Sequence, residues 1–91
     1  MLIVNGELDP RNPLEGVRGV VAATRRAYAS KNTTDAFVAV ARRGAAHQCT
    51  PEMLALANAW LDWRLRPAAA VLEAEAAVAD SLRDAETWVE L

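Results

Sequence analysis

TPEMLALANAWLDWRLRPAAAVLEAEAAVADSLRDAETWVEL, residues Thr50 to Leu91, reads as one helical pattern broken only at Pro67. Thr50-Pro51-Glu52 combines a capping hydroxyl, a proline suited to the first helical position and an acid in the first turn, so a helix opens here. Met53, Leu54, Leu56, Ala57, Trp60, Leu61, Trp63 and Leu65 leave only a narrow polar stripe at Glu52, Asn58, Asp62 and Arg66. A helix that is apolar nearly all round belongs at the centre of a domain. Forty helical residues would run ~60 Å, so the rod must fold back or find a partner. Pro67 marks a kink or a new start. Beyond it Val71, Ala74, Val78, Leu82, Ala85 and Val89 recur by threes and fours, opposite Glu73, Asp80 and Asp84.

Working outward, Phe37-Val38-Ala39-Val40 suits either a helix or a buried strand. Thr33 or Thr34 as a cap, Asp35 in the first turn, the alanines and Gly44 as a stop favour a helix over 34–43. Further upstream, Asn12 as cap, Pro13 at the first position and Glu15 in a capping box open a helix over 13–31. Its apolar face is Leu14, Val17, Val20, Val21, Thr24, Ala27 and Tyr28, its back is Arg18, Arg25 and Arg26, and Lys31-Asn32 end it. Gly16 and Gly19 weaken this helix and mark a place where another backbone comes close. Leu2-Ile3-Val4 is strand-prone and Asn5-Gly6 is a good turn pair, but Asp9-Pro10 cuts the return arm short, so residues 1–12 form an arm that must dock.

The expected architecture is all-α: one domain over 1–91, a compact bundle of three or four helices (13–31, 34–43, 51–66, and 67–90 as a fourth helix or a kinked continuation) with a short N-terminal strand-like arm. Ninety-one residues suffice for one core. No run approaches the ~20 apolar residues of a membrane span, and the start lacks a signal-peptide pattern. Cys49 is the only cysteine. These features fit a cytoplasmic protein without a disulfide framework.

Charge is unevenly placed. Residues 1–50 hold seven basic and four acidic side chains, a balance of +3, whereas 51–91 hold three basic and eight acidic, a balance of −5. The halves can attract one another within or between subunits. Arg25, Arg26 and Lys31 form one basic cluster, Arg42 and Arg43 another, and both are candidates for nucleic-acid phosphates. A base-reading helix is missing, because the helix after Thr50 presents Glu52, Asn58 and Asp62. Glu73, Asp80 and Asp84 are spaced so that they can imitate a phosphate run for a basic partner.

His47 and Cys49 are two metal-capable residues where zinc needs four ligands, and neither a nucleophile set nor a phosphate loop can be assembled. No catalytic, cofactor or metal site is expected. Trp60 and Trp63 share a helical face and belong to the core, whereas Trp88, with Val89, is the interface candidate in a last turn that would otherwise fray. The expected function is a non-enzymatic protein-interaction module, self-associating as a dimer and regulating or inhibiting a protein partner. The alternative is a nucleic-acid-linked regulator, either binding DNA or RNA through the basic helix backs or mimicking nucleic acid with the acidic helix.

Overall fold

Leu2–Gly6 and Val38–Arg42 lie side by side as parallel strands, β1 and β2, with Leu2 opposite Val38 and Gly6 opposite Arg42. The computed structural model describes residues 1–65 and 68–91. Between the strands runs α1, Leu14–Ser30, which makes the crossover that a parallel pair requires. A 3-10 turn, Thr34–Ala36, leads into β2. Two further helices follow, α2 (Pro51–Leu65) and α3 (Ala68–Arg83), packed on each other. The last strand, β3 (Trp88–Glu90), pairs antiparallel with β2, giving the sheet order β1-β2-β3.

The molecule is therefore an α/β sandwich, and the all-α bundle is corrected at three places. The segment 34–43 is not a helix: Phe37 leads out of the 3-10 turn, and Val38–Arg42 is the sheet's central strand, with Ala39, Val40 and Ala41 buried on its two faces. A doubly covered strand shows a continuous apolar run instead of alternation, and that run also fits a helix. Gly44, with φ 72°, turns the chain after a strand and does not end a helix. The fourth helix stops at Arg83 instead of continuing to residue 90. There the Asp84 carboxylate accepts hydrogen bonds from the Glu86 and Thr87 amides, each at 3.2 Å, and turns the chain into β3. The N-terminal arm is no hairpin, because Asn5-Gly6 continues along β2 as far as Arg42. The break expected at Pro67 lies outside the described residues.

Strand alternation divides the core in two. Leu2, Val4, Val38, Val40 and Trp88 meet Met53, Leu56, Trp60, Val78 and Leu82 beneath the sheet. Ile3, Ala39 and Leu91 meet Val17, Val21 and Tyr28 of α1 above it, with Phe37 stacked on Tyr28 at 5.4 Å between ring centroids. Local signals act at the helix ends as chemistry requires. Thr50 Oγ1 accepts the Met53 amide at 3.3 Å, and Asn32 takes the left-handed φ of 55° just beyond α1. Asn12 does not cap α1. That position belongs to Pro13, and the Asn12 carbonyl instead accepts a hydrogen bond from Asn5 Nδ2 at 2.9 Å.

Candidate functional site

The chain leaves β1 toward α1 above the sheet and leaves β2 toward α2 below it. The carboxyl ends of these two adjacent strands thus form a topological switch point, the usual place for a ligand crevice in an open α/β sheet. A cleft of about 420 Å³ opens there, lined among others by Asn5, Asp9, Asn12, His47 and Cys49. Gly6 makes its floor possible. A Cβ on this residue would stand 2.1 Å from the Ala46 carbonyl oxygen and 2.6 Å from that of Ala45, so only glycine lets the 45–47 segment cross the end of β1. Leu8 fastens the crossing by donating its amide to the Ala45 carbonyl at 2.9 Å.

Asp9 is the buried charge of the cleft. Its Oδ1 accepts the Arg11 and Asn12 amides at 2.8 and 3.1 Å, while Oδ2 lies 2.8 Å from His47 Nδ1. Burial alone would raise its pKa, but His47 and then the Asn12 and Arg11 amides outweigh it and bring the value down to about 2. A carboxylate on Nδ1 orients an imidazole and leaves Nε2 available for proton transfer or ligand contact. The neighbouring thiol does not complete a nucleophilic set, since the hydrogen-bond partner of Cys49 Sγ is the Thr50 carbonyl at 3.9 Å. Sequence reasoning missed the Asp9–His47 pair because 38 residues separate its members. Only the parallel register of β1 and β2 brings their loops to one edge.

A second surface is apolar. The inner face of α2 buries Met53, Leu56 and Trp60, yet Leu54, Leu61 and Leu65 on its outer face remain 55, 50 and 77% exposed. The helix expected at the centre of a bundle is covered on one side. Ala55 and Ala59 face Ala77 and Ser81 of α3, whereas Leu54 and Ala57 lie toward Val4 of β1. Arg64, at the far end of α2, stacks 4.2 Å above the Trp63 ring and 4.9 Å above Trp60, and donates to the Asp35 carbonyl at 2.6 Å. That bond anchors the helix end near the start of β2, so α2 runs antiparallel to β1.

The residues singled out from the sequence are scattered over this framework. Trp88 is buried in the same cluster as Trp60, and Val89 beside it is half-buried in β3. Glu73 and Asp80 are exposed on α3, with Asp80 paired to Arg83. Asp84 lies past the helix end, where a hydrogen bond from the Thr87 side chain, then the Thr87 and Glu86 amides, lowers its pKa despite some desolvation. Arg25 lies 5.2 Å over the Phe37 ring and donates to the Leu91 carbonyl at 2.8 Å, while Arg26 and Lys31 are exposed. Arg42 pairs with Glu52 at 3.3 Å, and Arg43 pairs with Glu7 at 3.5 Å and donates Nε to the Ala85 carbonyl at 2.7 Å. The two basic clusters close opposite ends of β2 and do not merge. Among the described residues no three histidine, cysteine or acidic side chains are grouped to hold a metal, and no helix is long and apolar enough to cross a membrane. No protein-family model, characterised protein or solved structure matches the chain.

Proposed function

We propose that this chain is a non-enzymatic protein-interaction module of the cytoplasm that associates with itself and acts as a regulator or inhibitor by holding a protein partner. One observation carries this reading: α2 is apolar on both faces and the fold covers only one of them, leaving Leu54, Leu61 and Leu65 exposed in one stripe. Single exposed leucines are ordinary, but an aligned row on a helix is the form in which partner surfaces are built. The basic groups support it by contrast. Arg25, Arg42 and Arg43 are engaged with Leu91, Glu52, Glu7 and Ala85, so three of the five basic groups of the nucleic-acid alternative already have partners within the chain.

Light scattering at tens of micromolar protein should give twice the 9.8 kDa chain mass. Leu61→Glu, at a half-exposed position that costs the monomer little, should return the mass to one chain with unchanged circular dichroism. A wild-type mass of one chain at that concentration sinks the self-associating reading.

A further inference from the structure

The two edges of the sheet are built differently. The β3 edge is three residues long and carries Glu90, and Arg25 reaches across to the carbonyl of Leu91 beside it. Short length and charge are the usual devices that blunt an edge. The β1 edge has none of them, since Leu2-Ile3-Val4-Asn5-Gly6 holds no charge and no proline and pairs with β2 without a bulge. The Met1 carbonyl and the Glu7 amide are bonded toward β2. Alternation therefore turns the amides and carbonyls of Leu2 and Val4 away from the sheet, where the strand order places no neighbour among the described residues.

Both helix layers set apolar residues beside this edge, with the polar groups of both surfaces gathered toward the carboxyl end of β1. Above the sheet, the surface beside Ile3 is formed by Gly16, Val17 and Val20 of α1, with Arg11, Asn12 and Pro13 at the end where the chain enters that helix, and Val20 is 60% exposed. A Cβ at Gly16 would meet nothing within 4 Å, so the close backbone that this glycine suggests is not supplied by the chain itself. The arginines of α1, Arg18, Arg25 and Arg26, lie on its opposite flank around Leu91. Below the sheet, Leu54 and Ala57 line the edge beside Val4, with Leu61 two turns along the same side of α2.

We propose that a second copy of the chain occupies this edge. Two β1 strands pair antiparallel about a two-fold axis at Ile3 into one six-stranded sheet, with α2 against α2 below and α1 against α1 above. The proposal rests on the self-association reading and names its surface. In this register Leu2 and the partner's Val4 exchange both backbone hydrogen bonds, and the reciprocal pair does the same. Because β1 rises ~3.3 Å and α2 ~1.5 Å per residue, the axis passes near residue 58 of α2, which sets Leu54 opposite the partner's Leu61. The flank is about 25 Å long, from the length of α1, and about 30 Å high across three layers, or on the order of 700 Å². That is near the ~800 Å² per partner of a stable interface. An unrelated strand could pair with β1 but would leave Val20 and Leu61 uncovered, whereas a two-fold copy supplies a helix on each side.

The test is Ile3→Cys in a Cys49→Ser background. Facing residues of a non-hydrogen-bonded antiparallel pair have Cα atoms ~4.5 Å apart, within disulfide range. Mild oxidation should convert the dilute protein to a disulfide-linked dimer. In the unmodified protein the Leu2 and Val4 amides should become protected from hydrogen exchange as concentration rises. If light scattering shows a dimer while Ile3→Cys stays uncrosslinked and these amides exchange freely, sheet continuation is wrong and association uses another surface. A protein monomeric throughout overturns this proposal and the self-association reading together.

Discussion

Gly6 shows how one missing carbon atom shapes a whole corner of the molecule. Gly6→Ala would drive a methyl into the Ala45 and Ala46 carbonyl oxygens, both backbone and unable to rotate aside. The 45–47 segment would have to lift, separating His47 from Asp9. The expected loss is ~3 kcal/mol, read from the urea midpoint. Asp9 adds a pH dependence. Its folded pKa is depressed from 3.8 to about 2, so its contribution is complete above the ordinary carboxylate range and disappears as pH falls from about 3.8 through about 2. His47→Asn removes the main opposing influence on that carboxyl. An NMR titration should then find the Asp9 pKa raised, and acid unfolding should begin at a higher pH than in the parent.

At the scale of elements, legibility followed how locally each one is specified. α2 announces itself because Thr50, Pro51 and Glu52 are neighbours in sequence and the cap forms within one turn. β2 could not be recognised that way. Its helix layers cover both faces and erase the alternation that marks a half-buried strand, while Asp35 and Gly44 imitate helix boundaries although they belong to a 3-10 turn and a glycine turn. β3 was obscured by the spacing of Leu82, Ala85 and Val89, which continues the helical rhythm across a turn held by Asp84. The Asp9–His47 pair depends on the register of strands 36 positions apart, which composition and periodicity do not reveal. Trp88 changes its role for the same reason. As a strand residue 6% exposed, it fills the core as fully as Trp60, so Trp60→Ala and Trp88→Ala should each cost ~3–5 kcal/mol by thermal or urea unfolding. A Trp88→Ala change that leaves stability intact would contradict this packing.

For the molecule as a whole, the pairing of Leu2 with Val38 and of Val40 with Glu90 has a consequence for the speed at which the chain finds its structure. The two seams of the sheet join positions 36 and 46–50 residues apart, whereas the α2–α3 pair is assembled from adjacent segments. Closing such spans removes chain freedom before any ladder bond compensates for it, and rates fall as contacts become less local. Stopped-flow refolding monitored by tryptophan fluorescence should therefore place the chain among mixed α/β domains, in the millisecond range, and well behind a helical bundle of equal length. Microsecond refolding at that probe would be incompatible with a central strand that must recruit one neighbour from each side of the sequence.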